Sequence, residues 1–503
     1  MTVQKTSSGL YEDYKAKMRK VADVRNAMSV LGWDQETYLP EKGAAFRGQQ
    51  LTTLSSIAHE LFSEDALGDI LKELSSRNDL NAVQQKNVAL SLEDYEKNRK
   101  YPAAFVAELS TATNAAYHAW IRARKENNFD VFEPLLANMV ELKKREAEIL
   151  GYKGHPYDAL LNEYEKGADV QMLDKIFSGV KESLLPILQK IALQEVPDKQ
   201  FLHRHFPKDQ QWQFGLNLLK DMGYDFKAGR QDISEHPFTT SFSPQDVRVT
   251  TRIDEQDLGN MTWSCIHEGG HALYEQGLPP EEYGLPSGEA ASLGIHESQS
   301  RLWENNLGRS LTFWQYHYGN LQATFRSSLL AVPIQDFYRA INLVQPSLIR
   351  TEADELTYHF HVMIRYEIEK GLIGGTLQTK DLREIWNQYY RDYLQQEVPD
   401  DLRGVLQDIH WSHGSFGYFP TYSLGSFYAA QLYTSAQKQV PGLEDAIADG
   451  KYGPLLQWLR EHIHQYGRFY TSNELCEKVT GEKLEFRYFL DYAKKKFGGI
   501  YQL

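Results

Sequence analysis

The 503-residue sequence predicts an all-α, mainly helical fold carrying one small β element. Three observations predict it. Apolar side chains recur at spacings of three and four over long stretches, the period that gathers them on one helix face. Alternation at period two is confined to a single stretch. No Pro/Gly/Ser-rich linker and no change of composition divides the chain, so one domain over residues 1–503 is expected, although length alone suggests about three.

The elements follow in chain order. Tyr11, Tyr14, Met18, Val21, Val24, Met28 and Leu31 form an amphipathic stripe and predict a long N-terminal helix. Phe105, Leu109, Ala112, Ala116 and Trp120 repeat the pattern. The best strand signal runs from Phe238 to Ile253, where Val247, Val249 and Thr251 alternate with Asp246, Arg248 and Thr250. An edge there could pair with an extended peptide. The next helix has Asp254 or Asp257 as its cap, an apolar stripe in Trp263, Ile266, Leu273 and Tyr274, and an end at Gly277 and Pro279-Pro280. Gly269 and Gly270 inside it cost about 1 kcal/mol each against Ala, which close approach of another backbone or a substrate would explain. Leu484, Phe489, Leu490 and Ala493 mark a last helix. Lys143-Lys144-Arg145 and Lys494-Lys495-Lys496 read as solvated helix faces, and His359 and His361 as core or surface residues.

Charge and composition exclude several functions. Lys+Arg 54 against Asp+Glu 68 gives a net charge of −14. An acidic chain without a basic run is a poor nucleic-acid binder and is repelled by anionic membranes. No apolar run reaches spanning length, and the polar N-terminus is no secretory signal. With only Cys265 and Cys476 there is no disulfide framework, so a reducing, cytoplasmic location is expected. Cys265 reads as a small buried residue.

The chemistry is concentrated in His267-Glu268-Gly269-Gly270-His271. On a helix, residues i and i+4 lie on one face about 6 Å apart along the axis, so both imidazoles can bind one tetrahedral ion. Zinc accepts His nitrogen and keeps a position for water in catalytic sites, with cobalt a possible substitute. Glu268 is then placed to take that water's proton. A third protein ligand is still needed. Glu297, 26 residues beyond His271, could be delivered by a second helix, with His296 as the rival from the same segment.

His-Glu-Gly-Gly-His followed by His296-Glu297-Ser298-Gln299 resembles the carboxypeptidase Taq family of metallocarboxypeptidases. Four ordered blocks strengthen the resemblance: His236-Pro237-Phe238, Asp246-Val247-Arg248-Val249-Thr250, Ile349-Arg350-Thr351-Glu352-Ala353-Asp354, and Gly404-Val405-Leu406-Gln407-Asp408-Ile409-His410-Trp411. Trp33-Asp34 and His155-Pro156-Tyr157-Asp158 extend it over nearly the whole chain. Gly269 stands where the resemblance leads one to expect a larger residue.

The resemblance implies a saddle-like helical body with a deep groove, similar to thimet oligopeptidase and angiotensin-converting enzyme. It implies a zinc enzyme that releases single C-terminal residues from peptides with broad tolerance and poor action at proline, and a homodimer. It points to His267, His271 and Glu297 as ligands and Glu268 as base. Arg350 is the anchor it suggests for the substrate's terminal carboxylate, a task suited to a planar guanidinium. Arg248, on the substrate strand, is the second candidate. Tyr422, with Tyr418 behind it, is the candidate donor to the oxyanion, as in related helical zinc peptidases. His410 would line the groove and bond a substrate carbonyl, and Asp408 would orient it or a ligand histidine. An endo-oligopeptidase or dipeptidyl carboxypeptidase with the same metal site is the alternative. A scaffold with a structural metal is a further one, which the intact base Glu268 argues against.

Overall fold

The N-terminal stripe does build a helix, but its two halves are treated differently. The computed structural model describes residues 6–503. Helix α1 (Ser7–Thr37) is capped by the Thr6 hydroxyl on the Gly9 amide. Leu10, Tyr11, Tyr14, Met18 and Val21 enter a local core with α2 (Ala44–Ser63), α3 (Asp65–Ser75) and α4 (Ala82–Lys100), sealed by Leu285. Beyond Val21 no α1 residue is buried until Trp33, so Val24, Met28 and Leu31 keep their period and are only half-buried. Asp34 bonds Arg47 of α2. The far end of α1 returns to the body at Trp33, which lies under the Arg248 guanidinium at 4.4 Å.

The second and larger core includes α5 (Ala103–Glu126) and α6 (Glu133–Leu150) and continues to the C-terminus. A three-stranded sheet crosses it, β1 (Gly229–Ile233), β2 (Thr239–Ser243) and β3 (Asp246–Thr251), in the order β1-β3-β2. β1 pairs with β3 in parallel and β2 with β3 antiparallel. The segment expected to be one strand is therefore a hairpin, broken where Pro244 removes a donor and turns the chain. The alternating residues 246–251 are the central strand, with Val247 and Val249 buried. β1 and β2 are the two edge strands.

Helix α7 (Leu258–Glu275) packs on β3. Its cap is Asp257, whose carboxylate accepts from the Gly259 amide at 2.8 Å. A Cβ on Gly270 would lie 2.7 Å from the Ser300 Cα, and one on Gly269 2.7 Å from Leu219. The glycines thus serve close approach of helix α8 (Leu293–Arg301) on one side and of a packed leucine on the other. α8 runs into a π-helical turn, Leu302–Leu307. Helices α9 (Tyr358–Ile373) and α10 (Pro420–Gln439) back this pair, and Gly425 of α10 lets the stem of Glu297 lie against its backbone. The chain ends in α11 (Arg487–Tyr501), with Leu484 just before it.

Two basic triplets depart from expectation. Lys143 is buried in an ion pair with Glu146, and Lys496 is buried against Glu355 at 2.7 Å and the Asn305 carbonyl. Three successive helical residues sweep about 200°, so a triplet on a packed helix turns one side chain inward while the others stay solvated. His359 and His361 are core residues, bonded to Ser423 and Tyr390. Cys265 is buried beside Met261. Among the described residues no helix is long and apolar enough to cross a membrane.

Candidate metal centre

One helical turn of α7 and the first turns of α8 bring three side chains to a point. His267, His271 and Glu297 each offer an atom, all within 4.8 Å of one another. Glu297 Oε2 lies 3.8 Å from His267 Nε2 and 3.6 Å from His271 Nε2. Ligands about 2.1 Å from a tetrahedral ion stand roughly 3.4 Å apart, so two imidazoles and a carboxylate at 3.6 and 3.8 Å are of the type, and near the spacing, that such an ion takes. The other Glu297 oxygen accepts from Arg301 Nε at 2.7 Å, leaving Oε2 for the site. His296 is not in this group: its Nδ1 lies 2.6 Å from His271 Nδ1.

The supports of the two histidines were not read from the sequence. His267 Nδ1 is 2.8 Å from Glu304 Oε2, and Glu304 is gripped by Arg301 at 3.1 Å and Arg309 at 3.4 Å. Glu297, Arg301 and Glu304 recur at i, i+4 and i+7, a one-face signal that could have found Glu304. Burial opposes charge on both members of this pair. The guanidiniums of Arg301 and Arg309 and His267 outweigh it at Glu304, which is held well below the usual carboxylate range. Burial alone would likewise lower His267, and Glu304 and Glu297 outweigh it. A field that favours a proton on His267 favours a cation at its other nitrogen. Burial, with His296 and His267 beside it, pushes His271 well below its ordinary value, so its lone pair is free for a ligand bond.

Glu268 is buried beside this point. Thr239, on edge strand β2, donates to Glu268 Oε2 at 2.6 Å and fixes the carboxylate. Burial raises its pKa, with His267 and Thr239 working the other way. Thr239 is the contact through which the hairpin reaches the site.

A cavity of about 880 Å³ opens from His267 and Glu297 to Arg350, Tyr358 and Tyr422. Arg350 is buried, and its Nε and Nη2 each lie 2.9 Å from Asp408 Oδ1, while Nη1 bonds the Tyr358 hydroxyl at 3.1 Å. Arg365 holds the other Asp408 oxygen at 2.6 Å. Asp408 thus bonds two arginines, and its hydrogen bonds do not go to His410 or a ligand histidine. Arg350 also lies 5.1 Å over the Tyr422 ring. The Tyr422 hydroxyl is 3.4 Å from His410 Nε2. Burial pushes His410 down to about 4, so it is neutral at ordinary pH. Tyr418 packs on Tyr422 and Tyr164 and does not line this cavity. Arg248 is held away from it, bonded to Asp246 at 2.9 Å between the Trp33 and Phe242 rings.

Comparison with known proteins places the whole chain beside one family. A family model described as Carboxypeptidase Taq (M32) metallopeptidase matches residues 13–497. Thermostable carboxypeptidase 1 of Thermus thermophilus is 40% identical over 99% of this chain and 100% of its own. Among solved structures, one designated CHT is 71% identical and superposes with a TM-score of 0.97 over 97% of this chain and 99% of that one. The M32 carboxypeptidase from Deinococcus radiodurans superposes with a TM-score of 0.97 at 38% identity, over 98% of this chain and 100% of that one.

Proposed function

Because the chain belongs to the carboxypeptidase Taq (M32) metallopeptidase family and is a metallocarboxypeptidase, we propose that it holds zinc at His267, His271 and Glu297 and releases single C-terminal residues from peptides. The observation that carries this reading is the convergence of three donor atoms beside a buried carboxylate, at one end of a cavity whose other end is an arginine. Zinc bound there would polarise the scissile carbonyl and bring the pKa of water toward neutrality.

The chain's own residues supply the rest. Glu268, oriented by Thr239, takes the proton of the attacking water and hands it to the leaving amine. Its raised proton affinity suits a group that must both accept and return a proton. Tyr422 reaches into the cavity and donates to the oxyanion that forms on the scissile carbonyl. Arg350 receives the substrate's terminal carboxylate. Its pairing with Asp408 sets the plane of the guanidinium, and the second arginine on Asp408 leaves the cluster with a net positive charge. The edge of β2 lies beside Glu268 and offers backbone groups to an extended peptide. The roomy cavity suits broad tolerance for the departing residue. His410, neutral and bonded to Tyr422, supports that tyrosine. A cytoplasmic location remains the expectation of the cysteine-poor composition, and a dimer that of the family.

The test is mass spectrometry of a mixed peptide and its C-terminally amidated twin, incubated with zinc-loaded protein. A ladder losing one residue at a time, abolished by the amide and by a chelator, is expected. Loss of residues in pairs would move the enzyme to a dipeptide-releasing activity. Activity in excess chelator would remove the metal from the mechanism.

A further inference from the structure

The two histidines of the centre are braced in different ways. The nitrogen of His267 that faces away from the site meets a carboxylate, Glu304, at 2.8 Å. The corresponding nitrogen of His271 meets the Nδ1 of another imidazole, His296, at 2.6 Å. His296 Nε2 in turn lies 2.9 Å from Glu275 Oε1. We propose that His296 is a positioning residue of the metal site: with Glu275 behind it, it fixes the tautomer and ring plane of His271. The proposal rests on reading His267, His271 and Glu297 as metal ligands.

The argument is one of proton counting. Two ring nitrogens at hydrogen-bond distance share a single hydrogen, so one donates and the other accepts. If the His271 Nε2 lone pair faces the site, the His271 hydrogen is on Nδ1 and His296 Nδ1 is the acceptor. The His296 hydrogen is then on Nε2, where the Glu275 carboxylate accepts it. A single assignment satisfies all the groups. The reverse assignment puts the His271 hydrogen on Nε2, aimed at Glu297, and turns a bare His296 lone pair toward the Glu275 carboxylate. Glu275 therefore selects the tautomer in which His271 can bind a metal.

The fold holds this relay rigidly. Glu275 follows His271 by one turn of α7, and His296 precedes Glu297 in α8. Helix α7 thus supplies two proposed ligands and Glu275, and α8 supplies the third ligand and His296. The His296 ring lies 34° from the plane of His271, with centroids 4.5 Å apart, and Tyr274 packs on its other side at 5.5 Å. A carboxylate brace raises the basicity of its histidine more than a neutral imidazole does. His271 is accordingly the ligand whose metal bond depends on a removable neutral partner.

The test uses full-length protein freed of metal with a chelator. Zinc affinity is read by competition, and the cobalt(II) form by its visible absorption spectrum. His296→Leu is expected to weaken zinc binding about 10- to 100-fold and to shift the cobalt bands, while the unfolding midpoint of the metal-free protein stays that of the parent. His296→Asn, whose Oδ1 sits near the place of Nδ1, is expected to recover most of the affinity. Glu275→Ala is expected to weaken binding in the same sense, and serves if His296→Leu does not fold. Parent-like affinity and spectrum in His296→Leu, or in Glu275→Ala if that variant stands in, would overturn the proposal. So would a loss matched by an equal fall in the metal-free midpoint. A parent that binds no zinc would instead overturn the metal reading itself, before the relay is reached.

Discussion

The two ends of the 880 Å³ cavity are built from the same materials with opposite balance. At the proposed metal end, the carboxylates Glu268, Glu297 and Glu304 face the guanidiniums Arg301 and Arg309. At the other end, Arg350 and Arg365 face Asp408, and His410 is neutral. The carboxylate–guanidinium cluster at the proposed metal end carries a surplus of one negative charge, and the Arg350–Asp408–Arg365 cluster a surplus of one positive charge. The difference teaches that neither end is a bare charge. A buried isolated ion is costly, and one held by opposite partners is not. Arg350 can therefore be both an internal ion pair and an anchor.

The sharpest way to separate the ends is to silence one without touching the other's charge. Glu268→Gln is expected to lower turnover roughly 10³- to 10⁴-fold, with zinc content by elemental analysis equal to the parent's. Substantial residual turnover with zinc retained would break the assignment of the base. Tyr422→Phe sits between the two ends and is expected to cost about 10²- to 10³-fold in kcat, again at constant zinc. A change confined to KM would move Tyr422 to the carboxylate end.

Arg350→Lys keeps the charge surplus and removes the fork. Charge-assisted hydrogen bonds worth about 1.5–3 kcal/mol predict a 10- to 100-fold loss in kcat/KM for free peptides. If the variant discriminates free from amidated peptides as the parent does, the carboxylate is read elsewhere and the comparison fails at that end.

The smallest effect concerns the support behind each end. Glu165 is buried under the first turn of α8, accepting from the Gly294 amide at 2.9 Å, and Glu369 is buried under Trp411 and Gly417. Burial raises both carboxyls from 4.5 to about 7, against the hydrogen bonds they accept. A raised folded value means their contribution to stability is complete below pH about 4.5 and is lost as pH rises through about 7. In urea unfolding of metal-free protein, the fall in stability from pH 5 to pH 8 should be smaller in Glu165→Gln and in Glu369→Gln than in the parent, by roughly 1–3 kcal/mol. Equal slopes would show that these groups titrate alike folded and unfolded.

Much of the fold was legible because helical periodicity is local. The stripe from Tyr11, the stripe from Phe105 and the Asp257 cap all reappear as helix α1, helix α5 and the start of α7. What was not legible lies where a local pattern has two three-dimensional outcomes. Alternation over 246–251 is the same for an edge and a central strand, and only the pairing of β1 on one side and β2 on the other makes β3 central. A basic triplet does not say which member turns inward. The support of His267 lies 37 residues away at Glu304, where a π-helical turn follows α8.

The sequence by itself determined that His267 and His271 share a face with Glu268 between them, because residues four apart on a helix are neighbours whatever surrounds it. It also named Glu297 as the third donor, with His296 beside it as the rival. The tertiary structure separates the two. Successive helical residues point about 100° apart, and the rotation of α8 is set by its contact with Gly270 on one side and Gly425 on the other. That packing turns Glu297 toward the two histidines and His296 behind one of them. Likewise the partner of Arg350 is Asp408, 58 residues on. Only the folded chain decides such a pairing, because burial makes an arginine take whichever acid the packing brings.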